Sequence, residues 1–174
     1  MKERLKTMPE NKILIINHEQ AIKSISRMAW EIYERNLEEN ELIIAGIVGR
    51  GYAVAELLMA ELSKISKQKL SLHQLVIDKR NPQVETISIV PDIKVKGKTT
   101  VVVDDVLNSG RTLMYCLVPL ITHNAKKIQT AVLIDRSHKT FPVHVDYVGT
   151  ALSTGVREHV DVTIEQKKVQ VYLT

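Results

Sequence analysis

Three strand-length segments with apolar centres, the first of them continuously apolar, constrain this chain more than any other feature. "LIIAGIV" (42–48), "TTVVVDD" (99–105) and "IQTAVLID" (128–135) are each of strand length and show no polar alternation before their ends. A strand with one wet face alternates. A strand with none belongs to a sheet covered on both sides, which is the parallel sheet of an α/β fold.

The segments between these runs have helical spacing. Ala21, Ile25, Met28, Ala29, Ile32 and Leu37 recur at helical intervals across 18–40, and "GYAVAELLMAELSKIS" follows Gly49, Arg50 and Gly51. "RTLMYCLVPLITHN" (111–124) follows the central strand. It contains Pro119, whose missing donor costs roughly 3 kcal/mol in a helix interior and predicts a bend or an early end. Further strands are expected at "KILIIN" (12–17), "LHQLVID" (72–78) and the alternating "ETISIV" (85–90). In the tail, "HVDVTI" and "KVQVYL" read as hairpin partners across "EQKK", preceded by "HVDYVGTAL". The expectation is one α/β domain over 1–174: a mainly parallel central sheet flanked by helices, with a small β-rich subdomain or edge.

Composition narrows the function classes. Lys and Arg total 24 against 20 Asp and Glu, a formal charge of +4, which permits an anionic ligand without marking a nucleic-acid-coating tail. The single cysteine, Cys116, excludes a disulfide framework and fits a reducing, cytoplasmic setting. The N-terminal segment lacks the apolar core of a signal peptide, and no apolar run is long enough for a membrane span. His18, His73, His123, His144 and His159 show no ligand spacing and read as surface or cap residues.

The chemistry concentrates in "VVVDDVLNSGRT" (101–112). Adjacent strand residues point to opposite faces, so Asp104 and Asp105 are not both ordinary core residues. Neighbouring buried carboxylates repel and need donors: hydroxyls, amides, a basic side chain or a magnesium ion. Behind them Asn108, Ser109, Gly110, Arg111 and Thr112 open a helix, whose free N–H groups and dipole favour a phosphate. Carboxylates for a diol beside amides for a phosphate suit a sugar phosphate. The plainer alternative has the two carboxylates capping the next helix, with Ser109 and Thr112 as ordinary first-turn residues. A P-loop is excluded by the lack of G-x-x-x-x-G-K-[ST], and "GRGYAV" carries Val54 where a dinucleotide fingerprint needs its third glycine.

The same stretch resembles the ribose-phosphate signature of the type I phosphoribosyltransferases. The resemblance extends over nearly the whole chain and is nearest to the bifunctional pyrimidine-operon attenuator and uracil phosphoribosyltransferase family. "EQAIKSISRMAWEIYERN", "IAGIVGRGYAVAELLMAEL", "AVLIDRSHKTFPVHVDYVG" and "STGVREHVDV" support it. It implies a five-stranded, mainly parallel core with a small hood. By the resemblance, Asp104 and Asp105 hold the ribose hydroxyls of phosphoribosyl pyrophosphate, touching metal only indirectly, and Asn108 to Thr112 cradle its 5′-phosphate. Val48, Gly49, Arg50 and Gly51 bind pyrophosphate with Mg²⁺, through a non-proline cis peptide common in the family. Arg80 joins the catalytic set, and Ile134 and Asp135 flank the base. The reaction implied is displacement of pyrophosphate from the ribose by a nitrogenous base, in pyrimidine salvage. Self-association is implied too.

Three departures from the pattern matter. Asn108 stands where purine enzymes of the superfamily carry an acidic base, and around 134–152 no lysine and aromatic match the pair with which those enzymes grip the purine, so uracil or a similar oxo-pyrimidine is favoured over a purine. The loop "DKRNPQVE" (78–85) is short for a lid, leaving Lys79 and Arg80 to reach the pyrophosphate. Ser26, Arg27, His138 and Lys139 match polar and basic positions of the attenuator's RNA-binding face. An RNA-binding regulator, or a nucleotide sensor without turnover, therefore stands beside the transferase reading.

Overall fold

A computed structural model describes residues 12–82, 87–136, 138–155 and 158–174. The elements run β1 (Ile13–Ile16), α1 (His18–Arg35), β2 (Glu41–Ile47), α2 (Arg50–Ile65), β3 (Lys69–Val76), β4 (Ser88–Val90), β5 (Thr99–Leu107), α3 (Arg111–Thr122), β6 (Lys127–Asp135), β7 (Tyr147–Ala151), β8 (Val160–Glu165) and β9 (Lys168–Leu173). The main sheet has the order β4-β3-β2-β5-β6-β7. Its five strands from β3 to β7 are parallel, and β4 adds an antiparallel edge to β3. The expected five-stranded parallel core is therefore present, with one strand beyond it. β1, β9 and β8 form a separate antiparallel sheet, the hood, in which the two tail strands pair as a hairpin and "KILIIN" joins them.

The apolar runs occupy the middle of the main sheet and are buried on both faces. Along β2, Leu42 and Ile44 pack with α1, α2 and hood residues, while Ile43, Ala45 and Ile47 pack on the side of α3. Along β5, Val101 and Val103 face the first cluster and Val102 the second. This two-residue alternation between two apolar layers is what an unalternating sequence looks like in three dimensions.

Several expected boundaries shift. α1 begins on a capping box: Gln20 N donates to Asn17 Oδ1 at 3.0 Å and Asn17 N to Gln20 Oε1 at 2.9 Å. It ends at Arg35 rather than Asn40, because Asn36 turns its side chain inward. Asn36 Nδ2 donates to Ile32 O and to Gln129 Oε1, both at 2.8 Å, and Gln129 Nε2 donates to the Tyr147 hydroxyl at 2.7 Å. Leu37, placed on the helix's apolar face by its spacing, is consequently 61% exposed. β3 begins at Lys69, three residues early. Part of the expected strand 85–90 lies outside the described residues; the remainder is β4.

α3 does not stop at Pro119 but runs to Thr122. The proline forgoes the one bond that an amide at this position would make to Tyr115 O, and its own carbonyl closes the last turn. Its carbonyl accepts from His123 N at 3.0 Å, His123 Nδ1 at 2.7 Å and Thr122 Oγ1 at 3.1 Å. His73 is likewise not a surface residue. It is 5% exposed, with Nδ1 at 2.7 Å from Pro91 O. Among the described residues no helix is long and apolar enough to cross a membrane.

Candidate active site

The chain direction reverses across the sheet between β2 and β5, since β3 lies on one side of β2 while β5, β6 and β7 follow on the other. Ligands of open α/β sheets bind outside the carboxyl ends of the strands at such a switch point. The two loops singled out in the sequence leave β2 and β5 there, 48–51 and 108–112.

β5 is longer than expected, nine residues ending at Leu107, so Asp104 and Asp105 lie within the strand rather than at its end. Both are buried, at 7% and 9% exposure. Asp104 Oδ1 accepts from Asp105 N at 3.0 Å, and Lys79 Nζ reaches the same oxygen at 3.4 Å. Burial, reinforced by the neighbouring Asp105 carboxylate and only partly offset by Lys79, pushes the Asp104 carboxyl up from 3.8 to about 7. Both of these donors reach Oδ1, so a carboxylate so placed gains from further hydroxyls or a cation brought by a ligand.

Past the strand, Gly110 caps α3 at φ +83° with no side-chain hydrogen bond. Arg111 N leans on Ser109 Oγ at 3.3 Å and Met114 N bonds Gly110 O, while the amides of Thr112 and Leu113 have no partner among the described residues. A Cβ on Gly110 would stand 2.6 Å from Val143 Cγ1, so this turn requires glycine for space as well as for its dihedral angle. The loop is held from outside: Thr140 N and Phe141 N both donate to Ser109 O at 3.0 Å. With Asp104 the turn from Asn108 to Thr112 lines a small cavity of about 60 Å³. Unpaired amides at the positive end of a helix suit a phosphate.

The other loop closes against the same strand. A Cβ on Gly51 would lie 2.6 Å from Asp104 Oδ1 and 3.0 Å from Asp104 Cα, so "VGRG" and the carboxylates are in direct contact. Gly49 makes the turn at φ +89°. The cis peptide expected here is not present: among the described residues the cis bond is Val90–Pro91, and the glycine's freedom achieves the reversal with trans bonds. The Arg50 side chain, 52% exposed, pairs from Nη1 with Asp161 Oδ1 at 2.6 Å.

The remaining expected residues divide. Arg80 is exposed and its backbone amide caps Asp78 Oδ1 at 2.9 Å, so the basic side chain in contact with Asp104 is that of its neighbour Lys79. Asp135 is buried at the end of β6 with Lys139 Nζ 3.5 Å away. Ile134 is fully enclosed in the core and offers no side-chain surface to a base. The three basic positions of the expected RNA face are all engaged within the chain. Arg27 pairs with Glu31 and donates to Val148 O at 2.9 Å and Gly149 O at 2.7 Å. His138 Nε2 lies 2.8 Å from Thr154 O, and Lys139 pairs with Asp135. Ser26 is half-buried on α1.

One residue escaped the sequence reading. Arg136, directly after β6, is 4% exposed, and its guanidinium ties three segments together. Nε and Nη2 donate to Thr154 Oγ1 at 3.2 and 3.1 Å, Nη2 to Glu158 O at 2.5 Å, and Nη1 to Asn108 Oδ1 at 3.4 Å. Its position after a carboxylate at the end of an apolar run was the available signal.

A parallel sheet with a reversal between β2 and β5, paired carboxylates at that point, a glycine-capped helix start behind them and a β hood define the type I phosphoribosyltransferase fold. The chain belongs to the phosphoribosyltransferase family: residues 14–167 match the family's phosphoribosyl transferase domain. The bifunctional protein PyrR of Brevibacillus brevis is 36% identical over 168 residues, covering 91% of this chain and 93% of that one. PyrR of Haemophilus ducreyi is 33% identical over 160 residues, 87% and 89% of the two chains. Among solved structures, a hypoxanthine phosphoribosyltransferase of Trypanosoma cruzi superposes with a TM-score of 0.76 at 15% identity, covering 95% and 93%. A hypoxanthine-guanine phosphoribosyltransferase of Bacillus anthracis gives 0.69 at 22% identity, covering 83% and 86%. At such identities the structural likeness speaks for the fold.

Proposed function

We propose that this phosphoribosyltransferase transfers the ribose 5-phosphate of phosphoribosyl pyrophosphate to uracil, as a single domain working in the cytoplasm. The observation that carries the substrate half is the meeting of Asp104, Asp105, the uncapped start of α3 and the "VGRG" loop at one switch point. The base rests on the PyrR relatives and on Asn108, which stands where a purine enzyme would need an acid.

In this reading the amides at the start of α3, with the hydroxyls of Ser109 and Thr112, hold the 5′-phosphate. Asp104 and Asp105 accept hydrogen bonds from the ribose hydroxyls, and their negative charge faces a sugar that becomes positive as pyrophosphate leaves. Val48 to Gly51, with Arg50, receive the pyrophosphate, and Lys79 remains near Asp104 to limit repulsion between the carboxylates. Hard oxygen donors of this kind suit Mg²⁺ carried in by the diphosphate, and the ion supplies charge neutralisation to the leaving group. Two carboxylates alone make no protein cage, so the ion would depend on the diphosphate for most of its ligands. The chain's own share is orientation and electrostatics, with no covalent intermediate. An RNA partner draws on the same relatives, but Arg27, His138 and Lys139 are already engaged, and no geometry favours it over the transferase.

The test is pyrophosphate release from phosphoribosyl pyrophosphate and Mg²⁺ with uracil, orotate, hypoxanthine, guanine, xanthine and adenine in turn. Turnover with uracil, abolished in an Asp104→Asn, Asp105→Asn variant, is the expected result. Binding of phosphoribosyl pyrophosphate without turnover on any base would overturn it.

A further inference from the structure

We infer that Asp161, on the hood strand β8, is a positioning residue that sets the guanidinium of Arg50 for the diphosphate. The inference rests on reading 48–51 as the diphosphate loop.

Arg50 is the first residue of α2, whose first turn contains no acidic residue. A cation there is disfavoured by the helix dipole, and a long half-exposed side chain on a glycine-flanked turn has many rotamers to explore. Asp161 answers both problems. Its two oxygens are divided between two cations, Oδ2 to Lys12 Nζ at 2.7 Å and Oδ1 to Arg50 Nη1 at 2.6 Å. The carboxylate is itself fixed, because β8 pairs with β9 in unbroken register, Asp161 opposite Tyr172, and Lys12 sits over the Tyr172 ring at 5.6 Å. Lys12 therefore anchors one oxygen and leaves the other for Arg50.

The ion pair consumes one end of the guanidinium fork. Arginine presents five N–H donors in a rigid plane, so the rest remain available to an anion. The hood, which is remote in sequence from Asp104, Asp105 and the loop 108–112, thus supports the loop 48–51 through the Asp161–Arg50 pair. Support of this kind is what holds a binding group in its productive rotamer before the ligand arrives.

The experiment measures the Kd of magnesium pyrophosphate, the KM for phosphoribosyl pyrophosphate and kcat in Asp161→Asn. The expected result is Kd and KM raised together by about 2- to 10-fold, the range that ordering one long side chain is worth, with kcat at saturation unchanged. Asp161→Glu, which keeps the charge, recovers at least part of the loss. In an Arg50→Gln background Asp161→Asn has no further effect, since both changes act through one contact. A thermal melt of each variant separates loss of the hood from loss of position. Unchanged or tighter pyrophosphate binding in a folded Asp161→Asn protein would overturn the inference, showing that Asp161 competes with the diphosphate or ignores it. An equal effect in both backgrounds would overturn it too. Failure of the wild-type chain to bind pyrophosphate at all would instead overturn the reading of the loop, and this inference with it.

Discussion

Replacing Asp104 by Asn should make the protein more stable at alkaline pH while removing its activity. The native carboxyl titrates near 7, against 3.8 for the free side chain, chiefly because it is buried and secondly because Asp105 is beside it. The sign follows from proton counting. Between pH about 4 and 7 the native state holds a proton that the unfolded chain has released, so stability falls as pH rises through this window and levels off above it. One pKa unit corresponds to about 1.4 kcal/mol, so the full span is worth about 4 kcal/mol. An asparagine oxygen keeps the bond from Asp105 N, loses only the long contact to the half-exposed Lys79, and carries no charge to desolvate. Urea unfolding at pH 5 and pH 8 gives the assay. At pH 8 the variant's midpoint should lie at least ~1 M above wild type, taking a slope of about 1–3 kcal/mol/M. At pH 5 the gap should shrink to a fraction of that. A pH-independent difference, or a variant less stable at pH 8, would refute the claim that burial and Asp105 raise the Asp104 carboxyl.

Other consequences follow from the same geometry. Binding of magnesium phosphoribosyl pyrophosphate that needs ionised Asp104 should tighten about tenfold from pH 6 to pH 8, beyond any change seen in Asp104→Asn, as read by calorimetry at both pH values. Gly110→Ala combines a φ of +83° with a Cβ 2.6 Å from Val143 Cγ1; it should cost about 1–3 kcal/mol in unfolding free energy and weaken substrate binding. Arg136→Lys keeps the charge but not the fork that serves Thr154, Glu158 O and Asn108. A loss of about 1–2 kcal/mol by thermal or urea melts is expected, since the half-buried Thr154 and Glu158 acceptors lose part of their pairing. Cys116 is fully buried and its thiol is pushed up to about 12, mainly by burial, so a thiol reagent at pH 8 should label it only as fast as α3 opens.

How much of this was legible in the sequence depends on whether a residue's role is local. The apolar runs of β2, β5 and β6 identified themselves because burial on both faces leaves a one-dimensional signature. The carboxylate pair and the glycine after it marked the end of β5 as the candidate site, since their chemistry follows from the residue types and their order. What was illegible rests on partners distant in the chain. α1 ends at Arg35 because Asn36 meets Gln129, 93 positions away, while local spacing carried the helix to Asn40. Lys79 rather than Arg80 faces Asp104 because of where a turn leaves β3, which periodicity does not fix. Arg136 and Asp161 each look like ordinary polar residues at a strand's edge. Their roles appear only when the hood folds back over the sheet.

These distant contacts explain how the free protein tolerates a site so poor in internal satisfaction. Two adjacent carboxylates are buried, a helix start is left without a side-chain cap, and an arginine sits at the positive end of α2. Each arrangement costs stability on its own, and under the proposed function each would be relieved by a different part of one ligand: hydroxyls for Asp104 and Asp105, a phosphate for α3, a diphosphate for Arg50. Arg136, clasping Asn108 to Thr154 and Glu158, and Asp161, clasping Arg50 to Lys12, come from outside the two loops and hold them in place before that relief is available. The stability carried by the β2–β5–β6 core and these two clasps is therefore what allows the switch point to remain assembled in a geometry that the proposed substrate would complete.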